Sequence, residues 1–276
     1  MTTVNNLYLQ DIYIYPIKSL GGIRVPLAQV EQTGLQYDRR WMLIDETGGF
    51  LSQRTIPQMS MLQAGITDRS LVIIDKRGIL PLLNIPLTIT SGNEVTVKIW
   101  DDTCLALELN READEWFSRA IGINARLVYM PFATKRFVDI NYAANHEVVS
   151  FADAFPLMLI GQASLDDLNT RLDTPVLMNR FRPNLVFVGG DAFCEDSMKE
   201  FRIGEVKFDA VKPCSRCVLT TVNQEDGAKG LEPLSTLATY RKNGNKVLFG
   251  QNLLHKNYGT IKIGDKVEII STTNKT

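Results

Sequence analysis

The stretch Lys212-Pro213-Cys214-Ser215-Arg216-Cys217-Val218-Leu219-Thr220-Thr221 holds two of the chain's four cysteines, with Lys212 ahead of them and Arg216 between them. Thiols act as ligands or nucleophiles in their thiolate form, and neighbouring cations favour that form. The segment is therefore the best candidate for a reactive centre. The run that follows, residues 218–222, is apolar and β-branched, which predicts a strand. A thioredoxin-like centre would need a helix there, so the redox reading of Cys-x-x-Cys is weak. A structural zinc site wants four ligands, and the remaining candidates (Cys104, Cys194, His146 and His255) are not paired at ligand spacing. Two readings remain beside zinc: a single thiolate ligating a soft metal brought by an anionic cofactor, or two inert cysteines packed as small hydrophobes. Lys212 and Arg216 weigh against inert burial.

The rest of the chain is built around short strands. Residues 7–15 alternate imperfectly and end at Pro16, which predicts a strand running into the loop Pro16-Ile17-Lys18-Ser19-Leu20-Gly21-Gly22. That loop reads as a plain turn or as an anion site made by backbone N–H groups. Strands are predicted over residues 25–32, 61–66, 70–75, 95–100 and 103–109. A hairpin is predicted with residues 39–45 and 50–54 flanking Glu46-Thr47-Gly48-Gly49. Residues 1–109 thus look all-β and barrel-like. Residues 111–121 carry Ala113, Trp116, Phe117, Ala120 and Ile121 on one helical stripe, with Asn110 as N-cap and Gly122 as terminator. A second helix is predicted over 165–172, capped by Ser164, and a third piece near 234–241. Residues 131–145 read as a loop. Short strands are predicted at 126–130, 184–188, 203–210, 218–222 and 260–270. The fold class is mainly β (α+β): two β lobes with a few helices, divided near residues 122–130.

Composition narrows the function. The 276 residues are 45% hydrophobic and 22% charged, with a formal net charge of −1, as expected for a soluble globular protein. That balance gives no electrostatic footprint for nucleic acid or an anionic membrane. No apolar run approaches the roughly 18 residues that span a bilayer. The start has neither a basic segment nor an apolar one, so no secretory signal is expected. Four cysteines are too sparse for a disulfide scaffold. A cytoplasmic, reduced protein is the expectation.

Five ordered motifs carry a resemblance: Tyr15-Pro16-Ile17-Lys18-Ser19, Asp38-Arg39-Arg40-Trp41-Met42, Asn179-Arg180-Phe181-Arg182-Pro183-Asn184, Cys214-Ser215-Arg216-Cys217 and Phe249-Gly250-Gln251-Asn252. Together they resemble the MOSC family with its N-terminal β-barrel partner, nearest to the mitochondrial amidoxime-reducing components and their bacterial relatives. The resemblance covers nearly the whole chain. It implies an N-terminal MOSC β-barrel domain over residues 1–125 and a MOSC β-barrel domain over 126–276. It also implies a molybdenum–molybdopterin (pyranopterin) cofactor between the lobes, with Cys217 as metal ligand and catalytic residue and Cys214 as its neighbour. A thiolate suits a metal already bound by dithiolene sulfurs.

The other cofactor contacts implied are Lys18, Ser19, Arg39, Asp153, Ala154, Arg182, Asn184, Ser215, Arg216 and Asn252. Arg and Lys suit a terminal phosphate, and Asp and Asn suit the polar edge of a heterocycle. Ala154 departs from the pattern, because that branch prefers a hydroxyl residue there. The implied activity is reduction of N-hydroxylated compounds such as amidoximes, hydroxylamines and N-hydroxylated bases. No C-x₄-C-x₂-C iron–sulfur spacing occurs. Electrons are therefore expected from a separate protein of ferredoxin, flavodoxin or cytochrome type, with no membrane attachment and no nucleic acid. The alternative is a sulfur-carrier or cofactor-binding MOSC module using a cysteine persulfide.

Overall fold

The imperfect alternation at the start of the chain has a structural cause. Leu7, Leu9, Ile12 and Ile14 are all buried in β1 (Leu7–Ile14), and a register shift between Leu9 and Asp11 resets the alternation. The computed structural model, which describes residues 6–143 and 145–273, continues with β2 (Ile23–Val25), β3 (Leu27–Glu31), β4 (Gly34–Leu35) and β5 (Trp41–Ile44). Next come β6 (Leu62–Ile66), β7 (Ser70–Asp75), β8 (Leu83–Pro86), β9 (Glu94–Ile99) and β10 (Asp102–Glu108). Helix α1 (Arg111–Ile121) has the expected caps: Asn110 Oδ1 accepts from the Ala113 N–H at 2.9 Å, and Gly122 is left-handed at φ 77°. Its apolar stripe packs on the β6–β8 sheet in one core with Trp41 and Leu43. Strand β11 (Arg126–Tyr129) completes a sheet in the order β5-β11-β10-β9.

The second half contains β12 (Leu157–Gly161), α2 (Gln162–Asn169), β13 (Leu185–Val188), β14 (Met198–Ile203) and β15 (Val206–Arg216). It ends with α3 (Leu234–Tyr240), β16 (Lys242–Asn243), β17 (Lys246–His255), β18 (Gly259–Lys262) and β19 (Lys266–Thr272). Strands β12-β13-β1-β19-β14-β15-β17 run side by side, and β12 pairs with β17, which closes seven strands into a barrel. A barrel has no free edge. The fold is mainly β, as expected, with a barrel in the C-terminal half and smaller sheets in the N-terminal half. Hydrogen bonding crosses the middle of the chain, because β1 lies between β13 and β19 in the C-terminal barrel. Among the described residues no helix is long and apolar enough to cross a membrane.

Several elements differ from the sequence expectation. Residues 218–222 do not form a strand: Val218–Thr221 is a 3-10 turn. The Thr220 and Thr221 hydroxyls donate to the Cys217 and Val218 carbonyls at 3.0 and 2.9 Å, so local side-chain bonds override β propensity. The hairpin expected over residues 39–54 is shorter than read: Phe50 bridges Ile44 antiparallel and the Leu51 N–H donates to the Leu43 carbonyl at 2.8 Å, and the chain then turns at Ser52. Helix α2 begins three residues before its expected start, with Gly161 as N-cap. Ser164 lies inside its first turn and donates to the buried Glu195 carboxylate at 2.7 Å. Strands β12 and β17 lie outside the strands expected from the sequence, yet they close the barrel.

Candidate functional site

One cavity of about 290 Å³ collects all eleven residues singled out by sequence: Lys18, Ser19, Arg39, Asp153, Ala154, Arg182, Asn184, Ser215, Arg216, Cys217 and Asn252. They come from segments spread over more than two hundred residues. Arg54, Lys212 and Cys214 also face it.

Strand β15 brings a continuous wall. In a regular strand, successive side chains point to opposite faces, yet residues 212–217 all line the cavity. The ladder to β17 explains this, because its register shifts between Ala210 and Lys212 and again between Pro213 and Ser215. Pro213 cannot donate to a ladder and sits at one of these irregularities, where the strand is re-aimed. Cys217 follows the last strand residue, Arg216, and its carbonyl accepts from the Thr220 N–H at 3.1 Å to start the 3-10 turn. Arg180, the first arginine of Asn179-Arg180-Phe181-Arg182, clamps that turn by donating to the Thr220 and Thr221 carbonyls at 2.9 and 3.2 Å.

The loop after Pro16 brings the side chains of Lys18 and Ser19 to the cavity. Three of its N–H groups bond within the protein: Lys18 donates to the Trp41 carbonyl, Leu20 to that of Ile17 and Gly21 to that of Leu62, at 2.8, 3.1 and 2.8 Å. Buried Lys18 directs its ammonium to the Phe151 carbonyl at 2.7 Å and to Asp153 Oδ1 at 2.5 Å. Burial lowers the Lys18 ammonium to about 8, against the pull of Asp153. Burial alone would raise the Asp153 carboxyl, but Lys18 and Arg54 outweigh it and hold the acid well below the usual carboxylate range. The Asp153 side chain is half open to the cavity.

Arg39 and Arg182 also line the cavity. Their guanidiniums lie over the Tyr15 ring with centroid distances of 4.2 and 4.3 Å. Arg39 holds buried Asp38 at 2.6 Å and donates to Asn184 Oδ1 at 3.1 Å, while Arg182 donates to the Leu20 carbonyl at 2.6 Å. Burial lowers the Arg182 pKa to about 10. Asn184 also uses its amide, donating to the Tyr13 carbonyl at 3.1 Å. Its side chain thus braces Arg39 and β1.

Three residues of this wall are left-handed without being glycine: Ser19 at φ 67°, Arg39 at φ 50° and Arg182 at φ 55°. Such backbone costs of order 1 kcal/mol or more per residue, and it concentrates at functional sites. Behind Ser19, Gln53 donates to its carbonyl at 2.7 Å and pairs with Gln224, which ties the turn to the segment after Cys217.

Lys212 and Arg216 do not serve Cys217 as its sequence neighbours. The Lys212 ammonium lies over the Tyr142 ring at 4.4 Å. Arg216 donates to the Cys214 and Met158 sulfurs at 2.8 and 2.9 Å. The donor to Cys217 Sγ is Arg54 Nε, at 3.4 Å, from the N-terminal half. Sequence reasoning missed Arg54 because it read residues 50–54 as strand. It also missed Arg136, whose buried guanidinium donates to the Ser150, Ala152 and Asp153 carbonyls at 2.9, 2.6 and 2.8 Å and so sets the loop that bears Asp153.

The donor set suits a bulky anionic cofactor with a thiolate-seeking metal. Lys18, Arg39, Arg54, Arg182, Lys212 and Arg216 face the cavity against one carboxylate, Asp153. Arg216 Nε is buried without a hydrogen-bond partner, and an orphaned buried donor of this kind is costly unless a ligand takes it up. Among the described residues no group of three or more His, Cys, Asp and Glu is arranged to hold a metal ion. A metal at Cys217 must therefore arrive with its other ligands.

Comparison with known proteins agrees with this architecture. Residues 6–124 match the MOSC N-terminal beta barrel domain and residues 146–268 match the MOSC domain. The chain is 31% identical over 280 residues to mitochondrial amidoxime-reducing component 1 of Mus musculus, covering 94% of this chain and 81% of that protein. It is 33% identical over 284 residues to mitochondrial amidoxime reducing component 2 of Rattus norvegicus, covering 94% and 82%. Molybdenum cofactor sulfurase of Arabidopsis thaliana is 32% identical over 270 residues, covering 90% of this chain and 33% of that protein. With both halves matched in order and the cysteine wall at their junction, the chain belongs to the family that joins a MOSC N-terminal β-barrel domain to a MOSC domain.

Proposed function

We propose that this chain is a molybdenum-cofactor-dependent oxidoreductase that reduces N-hydroxylated compounds, and that Cys217 is the protein's ligand to the metal. The observation that carries the reading is a free thiol on the wall of a cavity faced by six cations and one carboxylate. The names of the relatives, two amidoxime-reducing components and a molybdenum cofactor sulfurase, support the cofactor and the substrate class. The reading includes a cytoplasmic chain with residues 1–125 and 126–276 as its two domains, and electrons from a separate transfer protein.

Reduction of an N-hydroxyl group takes up two electrons and two protons, breaks the N–O bond and leaves N–H and water. The molybdenum cofactor, when bound, supplies the two-electron couple for this. The chain's own residues bind and orient. Arg39, Arg182 and Lys18 offer charge to the anionic part, and Arg39 and Arg182 are held by Asp38, the Leu20 carbonyl and the Tyr15 face. Ser215, Asn252 and Ser19 line the cavity and offer neutral polar groups for a heterocycle edge, and Arg216 Nε offers an unspent donor. Cys217 presents its sulfur beside Arg54.

The test is metal analysis of protein made in a host that synthesises the cofactor, with about one molybdenum per chain expected from one ligating thiolate. Metal-free protein from that host removes the reading and leaves the persulfide-carrier alternative, which the match to a cofactor sulfurase supports. Cys217→Ser should abolish amidoxime reduction, whereas Cys214→Ser should retain much of it. The opposite pattern would move the ligand to Cys214.

A further inference from the structure

We infer that Arg54 is the positioning residue of Cys217, and that its N–H···S bond sets both the place of the sulfur and its electron donation to a bound metal. The metal half of this inference rests on the function proposed above; the tether itself does not.

Arg54 sits where two sets of contacts meet. Its Nε–H donates to Cys217 Sγ at 3.4 Å and its Nη2–H donates to Asp153 Oδ2 at 2.6 Å. The other oxygen of Asp153 takes Lys18 at 2.5 Å. A chain of charge-assisted bonds therefore runs Lys18–Asp153–Arg54–Cys217 along the cavity, joining four separate segments. The guanidinium is held in place from behind: it lies over the Trp100 ring at 4.8 Å, and Trp100 is itself left-handed at φ 55° in the β9–β10 turn. The Arg54 carbonyl accepts from Lys229 at 3.2 Å, and the turn beneath it is closed by the Ile56 N–H to the Ser52 carbonyl at 2.9 Å.

This arrangement has a chemical consequence. The fork of a guanidinium can hold a sulfur and a carboxylate at fixed separation, which a lysine cannot do. A hydrogen bond to a ligating sulfur withdraws electron density from it and stabilises the more reduced metal; partners of this kind orient ligands and tune potentials. Cys214 has a different partner, the Arg216 guanidinium, so the two thiols can be read separately.

The experiment compares wild type with Arg54→Gln and Arg54→Lys. In metal-free protein, alkylation by iodoacetamide is followed at Cys217 and Cys214 by peptide mapping. Loss of a charged donor to sulfur should slow Cys217 by about tenfold and leave Cys214 unchanged, with Arg54→Lys recovering part of the rate. In metal-loaded protein, Arg54→Gln should shift the Mo(V) paramagnetic resonance signal and lower the midpoint potential, with a turnover loss of roughly tenfold or more. Equal Cys217 rates in all three proteins overturn the tether, and an unshifted signal and potential overturn its electronic role. If the Cys217 rate falls but wild type from the competent host carries no molybdenum, the tether stands and the proposed function falls. Should Arg54→Gln not fold, Arg54→Lys carries the same comparison.

Discussion

Replacing Arg136 by Met should cost the protein several kcal/mol and displace the loop that bears Asp153. The residue is 5% exposed, and its guanidinium serves three carbonyls, Ser150 at 2.9 Å, Ala152 at 2.6 Å and Asp153 at 2.8 Å. Its bond to Asp102 at 2.8 Å adds little, because that carboxylate is half exposed. Ser150 is fully buried and Ala152 nearly so, while the Asp153 end opens to the cavity and can take water. Two carbonyls therefore lose their donor without replacement, at about 1–3 kcal/mol each. Met fills most of the volume, so the expected loss is about 2–6 kcal/mol. Urea unfolding followed by fluorescence measures it, with the slope m unchanged if the native state is otherwise intact. Arg136→Lys keeps the charge but offers a point donor in place of a fork, and should recover only part of the loss. A loss below about 1 kcal/mol for Arg136→Met would mean that these carbonyls reach water and that Arg136 does not set the loop.

Three further outcomes follow from the same geometry. Burial lowers His255 to about 4, against the pull of Glu147, so the unfolded chain binds more protons between that value and its ordinary 6.5. Stability should fall on acidification through this window by about 3 kcal/mol more in wild type than in His255→Gln, and parallel stability–pH curves would refute it. Gly250 has φ 83°, and a Cβ there would meet Ile160 Cγ1 at 2.7 Å and the Leu159 carbonyl at 2.8 Å. Gly250→Ala should therefore cost about 2–4 kcal/mol in thermal or urea unfolding, and a neutral result would show that β17 can shift from β12. Burial pushes the Cys104 thiol up to about 11 and the Cys194 thiol up to about 12. Both thiols therefore stay protonated at pH 8, so mapped alkylation of either should be much slower than that of a small-molecule thiol reference, and rapid labelling of either would contradict its raised pKa.

How much of this was legible in the sequence depends on how local the cause is. Helix α1 was readable to the residue because its stripe, N-cap and glycine stop lie within one window. The segment after Cys217 was misread as strand because the two threonine hydroxyls bond three residues back, and that competition is invisible to β propensity. Nine of the eleven candidate site residues on this cavity belong to the five motifs that carry the resemblance, whereas Asp153 and Ala154 lie outside them in a segment, 150–156, that matches less well. Arg54 and Arg136 belonged to none of these motifs. The partner atoms of Arg54 lie 99 and 163 residues away, and no local pattern records contacts at that range. The Arg136 carbonyls are only 14 to 17 residues distant, but both ends lie in irregular chain without periodicity.

The cavity also shows why neither half could build it alone. Arg216 ends a barrel strand and Cys217 follows it, whereas Lys18, Arg39 and Arg54 come from turns of the first sixty residues. The crossing strand β1 fixes one half to the other, and Tyr15 at its exit stands between an arginine of each, with its hydroxyl donating to the Pro183 carbonyl at 3.0 Å. Like-charged guanidiniums are driven apart by Coulomb repulsion unless groups behind them compensate. Here Asp38 compensates Arg39 at 2.6 Å, Asp153 compensates Arg54 at 2.6 Å, and carbonyls and aromatic faces hold the rest. The same compensation aims the cations at a common space and leaves their charge incompletely neutralised. An anion entering that space finds its counter-charges already ordered, so little reorganisation is spent on binding. Left-handed backbone at Ser19, Arg39 and Arg182 is the local cost of that order, and packing between the two halves is what holds it.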